Sequence, residues 1–107
     1  MIYLAAPYYH KNSDITQERM EKVYAVASEL MLRGRHVTTP LFMHEVVDRF
    51  ELPGDFEYWK AYCFDILKRC DEMHILCLPG WAESRGIKAE IEFCREHNIP
   101  IVNVEEI

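Results

Sequence analysis

The chain alternates short apolar runs with longer stretches in which apolar positions recur every three to four residues. The apolar runs, at residues 2–5, 36–39, 73–78 and 99–104, have the length of buried strands. The stretches between them have the period of helices with one buried face. The pattern therefore predicts the order β-α-β-α-β-α-β.

The predicted helices are bounded by ordinary start and stop residues. Asn12, Ser13 and Asp14 are candidate N-caps of the first helix, and Gln17 follows Asp14 at the spacing of a capping box. Its apolar stripe is Met20, Val23, Tyr24, Ala27, Leu30 and Met31, and Arg33-Gly34 ends it. The second long helix follows Asp55 as N-cap, with the stripe Trp59, Tyr62, Cys63, Ile66, Leu67 and Cys70. A short helix is predicted over residues 44–50.

Strands that alternate with helices indicate an α/β fold with a parallel sheet covered on both faces. We expect one domain over residues 1–107, a Rossmann-like (flavodoxin-like) three-layer sandwich whose parallel sheet has four or five strands. Ligands of such sheets bind beyond the carboxyl ends of the strands. The segments to examine are therefore residues 6–10, 40–44 and 79–86, together with the helix start at 55–63.

Glu90 is the most informative residue of the last helix. It lies three residues after Ile87 and four before Cys94, so helical spacing places its carboxyl on the apolar stripe. Glu92 and Glu96 point the other way, as solvated acids do. A carboxyl that faces a core needs a partner or a chemical role, and the helix start favours its ionised form.

Composition narrows the classes of function. The net charge of −6 and the pI near 5.3 argue against binding of a nucleic-acid polymer, which usually requires a basic face. The four cysteines are spaced as buried free thiols and not as metal ligands, which fits a reducing cytoplasm. The apolar start is too short for a signal peptide, and no run reaches the length of a membrane span.

Ser84-Arg85-Gly86 opens the last helix after a glycine-containing loop. Free amides, a hydroxyl and a guanidinium suit a phosphate group. The alternative is a plain Ser N-cap beside a solvated Arg. The sequence contains neither a Walker motif nor G-x-G-x-x-G, so it lacks the usual nucleotide-binding fingerprints.

Aromatic residues and one histidine are further candidates at the strand ends. Tyr3 is either a core residue or a hydrogen-bond partner of Glu90, and Tyr8 or Tyr9 either stacks on a ligand ring or packs in the core. Trp81 either stacks on a ligand or caps the sheet. His44 is either a ligand contact or a satisfied histidine at a helix start.

Three segments of the chain form a recognisable combination: Ile2-Tyr3-Leu4-Ala5-Ala6-Pro7-Tyr8, Cys70-Asp71 before a strand, and Ser84-x-Gly86-x-x-x-Glu90. This combination resembles the nucleoside 2-deoxyribosyltransferase superfamily, which includes 2′-deoxynucleoside 5′-phosphate N-hydrolases. Leu52-Pro53-Gly54-Asp55 and Gly80-Trp81-x-Glu83-Ser84-x-Gly86 resemble a small branch of it. The resemblance extends over nearly the whole chain.

The resemblance implies residue roles. Glu90 corresponds to the nucleophile, Tyr3 to the tyrosine that positions it, and Ser84 to the serine that contacts the 5′ group. Where the superfamily usually carries an Asp that assists departure of the base, this chain has Cys63. Asp65 lies two residues on and is turned away, while Asp55 at the helix start is another candidate acid.

The expected function is cleavage or transfer of the N-glycosidic bond of a nucleoside or 5′-nucleotide, without metal or organic cofactor, in a cytoplasmic homodimer. The alternative is a nucleotide-binding or sensing module that has kept the pocket and lost catalysis. A third reading, an interaction domain without a ligand, is opposed by the inward position of Glu90.

Overall fold

The computed structural model describes residues 1–105, so the last two residues of the predicted domain lie outside the described part. The elements follow one another as β1 (Ile2–Ala5), α1 (Ser13–Leu32), β2 (Val37–Thr38), α2 (His44–Arg49), α3 (Phe56–Leu67), β3 (Glu72–Leu76), α4 (Arg85–Glu96) and β4 (Ile101–Val104). Short 3-10 helices at Pro40–Met43 and Trp81–Glu83 precede α2 and α4.

The four strands form one parallel sheet in the order β2-β1-β3-β4. The predicted α/β class, the parallel sheet and the alternation of strands and helices are confirmed. The central strands β1 and β3 pair over four positions, from Ile2 with Glu72 to Ala5 with Ile75. β2 pairs with β1 over two positions only.

Three of the predicted strands begin later or end earlier than expected, and β2 covers only Val37–Thr38 of the predicted residues 36–39. β4 starts at Ile101 because Asn98 has φ 56°, and the amide of Ile99 still donates to the Cys94 carbonyl at the end of α4. β3 ends at Leu76 because the amide of Leu78 turns back to the Leu76 carbonyl at 2.8 Å, ahead of Pro79. These local hydrogen bonds compete with the ladder of the sheet.

Apolar side chains cover both faces of the sheet. On one face, Met20, Val23 and Ala27 of α1 pack on β1 and β3. On the other face, α3 and α4 pack through Cys63, Leu67, Ile87 and Cys94. The predicted helical stripes are confirmed in their central residues.

Two members of the predicted stripes are exposed, and those assignments were wrong. Met31 is 46% exposed because α1, with 20 residues, is far longer than the four-residue β1 beneath it and extends past the sheet. Tyr62 is 42% exposed because Cys63 and Leu67, four residues apart, take the inward face of α3. It packs instead edge-to-face on Trp59, with ring centroids 5.1 Å apart.

The caps of the first helix differ in part from the prediction. Asn12 is the N-cap, and its side chain accepts from the amide of Asp14. Gln17 does not complete a capping box, since its side chain contacts Glu21 and His44. The end at Arg33-Gly34 is as predicted, with Gly34 at φ 83°.

Within residues 1–105 no helix is both long and apolar enough to cross a membrane.

Candidate active site

A cavity of about 520 Å³ opens at the carboxyl ends of β1, β2 and β3. The loops after these strands and the first turns of α3 and α4 form its wall, as the parallel topology predicts. Ten of the twelve residues selected from the sequence line it: Tyr3, Tyr8, Tyr9, His44, Asp55, Cys63, Ser84, Arg85, Gly86 and Glu90.

Glu90 and Tyr3 meet at the floor of this cavity. Glu90 is in the second turn of α4 and is 7% exposed, while Tyr3 in the middle of β1 is 1% exposed. The Tyr3 hydroxyl donates a hydrogen bond to the Glu90 carboxyl group. The two residues are 87 positions apart, and the packing of α4 against the centre of the sheet brings them together.

Burial dominates the ionisation of this pair. It raises the pKa of Glu90 from 4.5 to about 7, although the hydrogen bond from Tyr3 acts in the opposite direction. Burial and the charge of Glu90 raise the pKa of Tyr3 well above its ordinary value. Burial therefore outweighs the helix start, which was expected to favour the ionised form of Glu90. A carboxyl poised near neutrality is typical of catalytic sites.

Cys63 of α3 is the third buried group at this point and faces inward, where the sequence predicted it. Its side chain is close enough to interact with the Tyr3 hydroxyl and with the charge of Glu90. Burial and the negative charge of Glu90 raise the pKa of Cys63 to about 12. The thiol therefore stays protonated at neutral pH and is neither a nucleophile nor an effective acid.

Ser84, Arg85 and Gly86 lie on the β3 side of the cavity. Ser84 is the N-cap of α4, since its Oγ accepts from the amide of Ile87 at 3.3 Å. The Arg85 side chain is 78% exposed at the rim and forms an ion pair with Glu57. Gly86 lets α3 approach closely, because a Cβ at this position would lie 3.1 Å from Cδ1 of Phe56.

Tyr8, Tyr9 and His44 line the opposite, β2 side. The Tyr8 hydroxyl lies 2.8 Å from Nδ1 of His44, and the two rings meet edge-to-face with centroids 5.6 Å apart. Tyr9 is 68% exposed, so its ring is available at the mouth of the cavity.

Two predicted site residues lie outside the cavity wall. Asp65 is on the outer face of α3, where its carboxylate pairs with Lys68 at 3.1 Å and Arg69 at 3.4 Å. These cations lower its pKa, and its distance from the pocket removes it as a candidate acid. Trp81 packs, partly buried, against the core on the α3–α4 side and does not line the cavity, which favours the alternative in which it caps the sheet. Asp55, by contrast, lines the cavity while capping α3 through the amide of Tyr58.

Arg19 of α1 is a wall residue that the sequence analysis missed. Its guanidinium donates to the carbonyls of Tyr9 at 3.0 Å, Tyr8 at 3.4 Å and Pro79 at 3.3 Å. It thereby ties the loop after β1 to the loop after β3. The available signal was a cation four residues before Val23, on the buried side of the helix.

Among residues 1–105, no group of three or more His, Cys, Asp or Glu side chains is arranged to hold a metal ion. The cavity instead offers a buried carboxyl group, three tyrosines and an exposed guanidinium at the rim.

The chain matches a known protein family. The family described as "Domain of unknown function (DUF1937)" matches residues 1–106, nearly the whole chain. No curated protein matches the chain.

Proposed function

The chain belongs to the DUF1937 family, a domain of unknown function, and we propose that it cleaves or transfers the N-glycosidic bond of a (deoxy)nucleoside or 5′-nucleotide. The observation that carries the proposal is the Glu90 carboxyl group, buried at the floor of an open cavity and hydrogen-bonded by Tyr3. The resemblance to the nucleoside 2-deoxyribosyltransferase superfamily assigns the same two residues the roles of nucleophile and positioning tyrosine.

The proposed reaction has two displacements at C1′ of the sugar. A carboxylate oxygen of Glu90 bonds to C1′ while the C1′–N bond breaks, and the base leaves with the electron pair and acquires a proton. Water, or a second base, then attacks C1′ while the C1′–O bond to Glu90 breaks, and the attacking group gives its proton to the acid–base residue that protonated the first base, as in a retaining glycosidase. Tyr3 holds the carboxyl group in place throughout by its hydrogen bond.

Asp55 is the candidate donor of the proton that the departing base acquires. Asp55 lines the cavity near the start of α3, and Asp65 faces away from it. Cys63 occupies the position where the superfamily carries an acid, but its pKa of about 12 makes it a poor proton donor.

A substrate with a 5′-phosphate is favoured by the β3 side of the cavity. The Arg85 guanidinium lies at the rim beside the start of α4, where the first amides of a helix attract anions. Its ion pair with Glu57 has to open when a phosphate binds. Ser84 lines the cavity next to Arg85, which supports a contact with the same 5′ group.

The proposal includes a cytoplasmic homodimer. All four cysteines are free, which supports a reducing compartment. Exposed aromatic rings lie next to the cavity: Tyr9 lines it, and Tyr58 and Tyr62 pack on the lining residue Trp59. Burying this surface against a second copy would give the pocket a further wall.

The test is incubation with a panel of nucleosides and 5′-nucleotides, followed by chromatography for free base. We expect release from the wild type and almost none from Glu90→Gln, because the amide keeps the shape but is no nucleophile. Glu92→Gln is the matched control, since Glu92 is an exposed acid of the same helix. Base release by Glu90→Gln at the wild-type rate would refute the proposed nucleophile.

The second candidate function, a nucleotide-binding or sensing module, is favoured by Cys63. A neutral thiol in the place of an acid leaves a pocket that can bind without turning over. Stabilisation of the protein by nucleotides in a thermal-shift assay, without release of any base, would select this alternative.

A further inference from the structure

A chain of hydrogen bonds runs from the surface of α1 into the cavity. Gln17 Nε2 donates to the Glu21 carboxylate at 3.1 Å, and Gln17 Oε1 lies 3.3 Å from Nε2 of His44. His44 Nδ1 lies 2.8 Å from the Tyr8 hydroxyl. Tyr8 and His44 line the cavity, whereas Gln17 and Glu21 are outside its wall.

With a neutral His44, the chemistry of these groups gives one consistent direction for each proton in the chain. A carboxylate only accepts, so Glu21 orients the amide of Gln17 with its NH₂ group outward and its oxygen toward His44. An amide oxygen also only accepts, so in the neutral imidazole Nε2 carries the proton and Nδ1 is the acceptor.

The Tyr8 proton is therefore committed to His44, and the phenol oxygen presents only lone pairs to the cavity. The phenol keeps that proton, because burial and the nearby charge of Asp48 raise the pKa of Tyr8. A ligand atom that faces Tyr8 must then be a hydrogen-bond donor. A carbonyl oxygen at the same place would face the phenol oxygen of Tyr8, so that two hydrogen-bond acceptors would meet with no proton between them.

The two sides of the cavity indicate which part of a ligand meets Tyr8. Pro40, Leu41 and Val47 form an apolar wall around Tyr8 and His44, on the β2 side. The charged residues Glu57, Glu83 and Arg85 lie around the starts of α3 and α4. If Arg85 binds the 5′ end and Glu90 lies beneath C1′, the ring of the base extends toward the apolar β2 side.

We propose that Tyr8, oriented by the chain through His44 and Gln17, selects nucleobases that present an exocyclic amino group over those with a carbonyl at that position. The inference rests on the proposed function for the placement of the sugar and base. It adds a residue that determines specificity and two positioning residues behind it.

The experiment compares two pairs of substrates that differ by the exchange of an amino group for a carbonyl. They are 2′-deoxycytidine and 2′-deoxyuridine 5′-phosphate, and 2′-deoxyadenosine and 2′-deoxyinosine 5′-phosphate. For at least one pair we expect the wild type to prefer the amino member about tenfold or more in kcat/KM, because a hydrogen-bond acceptor that the bound ligand covers with another acceptor is costly. Tyr8→Phe keeps the ring and should reduce the preference to about threefold or less.

The variant Gln17→Met tests whether the orientation of the Tyr8 hydroxyl, and not only its presence, sets the preference. Without the amide oxygen, His44 is free to adopt the other tautomer and donate from Nδ1, so that Tyr8 can donate into the pocket. We expect the amino preference to shrink or reverse, although residue 17 lies outside the cavity wall. Glu18→Gln, an exposed neighbour that faces Lys22, should keep the wild-type ratio.

Each result bears on the proposal. Turnover without an amino preference, or a preference that survives in Tyr8→Phe or Gln17→Met, overturns the inference and leaves the proposed function standing. If no substrate releases base, the proposed function fails, and the same ratios are read from dissociation constants by calorimetry. Equal affinities, or no binding of any of the four nucleotides, then overturn the inference as well.

Discussion

At the scale of single residues, the site depends on one buried acid whose surroundings oppose its ionisation. Among residues 1–105, Tyr3 is the one hydrogen-bond partner of Glu90, a neutral thiol lies nearby, and no cation acts on the carboxyl group. Burial therefore has the larger effect, and the carboxyl group is held near the midpoint of its titration at neutral pH. Such a group costs stability in its charged form, which is the form the proposed reaction uses.

The first prediction concerns the stability of Glu90→Gln. The pKa of Glu90 is 4.5 in the unfolded chain and about 7 in the folded one, so the folded protein holds more protons between these pH values. Its stability should fall as the pH rises through this window, by roughly 3 kcal/mol in all. Glu90→Gln has no such dependence, so it should match the wild type more closely at acidic pH and be more stable by up to that amount above neutrality.

Denaturant unfolding at several pH values measures this difference. Glu92→Gln, from the exposed face of α4, should show no comparable pH-dependent gain. A gain for Glu90→Gln that is the same at all pH values would mean that the carboxyl group titrates normally.

The second prediction concerns Cys63→Asp. The proposed reaction needs a proton donor near the departing base, and general acid help is typically worth ~10²–10⁴-fold. An acid at this position should raise the rate of base release on some member of the panel. Cys63→Asp also puts a second carboxyl group beside Glu90 in a buried position, which lowers the stability of the fold. The variant should therefore be less stable than Cys63→Ser.

Rates from Cys63→Asp and Cys63→Ser, both checked for folding by circular dichroism, give the comparison. A folded Cys63→Asp protein that is no faster than Cys63→Ser on any substrate would mean that another group, such as Asp55, already supplies the proton.

At the scale of elements, the starts of α3 and α4 bring the polar side of the pocket together. Asp55 and Ser84 cap these helices, and Gly86 allows Phe56 to pack against α4. The ion pair between Glu57 and Arg85 then joins the two first turns at the rim. Because both side chains are more than half exposed, this pair contributes little to folding and is free to open for a ligand.

The third prediction concerns that pair. Arg85→Ala should weaken binding of a 5′-nucleotide by about 1.5 kcal/mol, the lower end for a charge-assisted hydrogen bond, because Glu57 already competes for the guanidinium. Binding of the matching nucleoside should change little. Glu57→Gln should strengthen nucleotide binding, since it frees Arg85 and removes a nearby negative charge.

Calorimetry with a nucleotide and its nucleoside measures both effects, with Lys88→Ala as a control on the exposed side of α4. Equal losses for nucleotide and nucleoside in Arg85→Ala would indicate a structural role for this residue.

At the scale of the whole molecule, the sheet order β2-β1-β3-β4 puts β1 and β3 in the centre of the sheet. The pocket at the carboxyl ends of the strands is therefore centred on these two strands. β1 and β3 lie side by side, so the loops that follow them face each other and Arg19 can bridge them. α1 begins at this edge and ends at the opposite one, where Leu32 is 89% exposed. The exposed aromatic surface beside the pocket is thus well separated from the apolar residue at the far end of α1.

The fourth prediction concerns assembly. If the aromatic surface beside the pocket is the interface of a homodimer, sedimentation should give twice the 12.7 kDa mass of the chain. Tyr62→Asp should shift the protein toward the monomer, because it places a charge in an apolar contact. Leu32→Asp, at the opposite end of α1, should leave the dimer intact. A wild-type monomer at concentrations well above those used for activity would contradict the prediction.

The local pattern of the sequence was enough to predict the secondary structure and the inward position of Glu90. Strands and helices differ in the period of their apolar positions, so the two can be told apart in the sequence. An acid on the apolar stripe of a helix faces the core whichever element that helix packs against. Boundaries were less well predicted, because hydrogen bonds at the helix ends, such as that from Ile99 to Cys94, compete with the sheet. Asp65 was correctly described as turned away from Cys63, yet its pairing with Lys68 and Arg69 is visible only in the structure.

The sequence by itself determined the α/β class, the parallel sheet, the helix cap at Asp55, and the edge of the sheet at which the cavity opens. Only the tertiary structure decided that Tyr3 reaches Glu90 across 87 residues, that Trp81 packs against the core, and that Gln17 lies within hydrogen-bond distance of His44. The physical reason is that periodicity is a local property, which shows the buried side of each element. Contacts between distant side chains depend on strand order, register and helix packing, which are set by the chain as a whole.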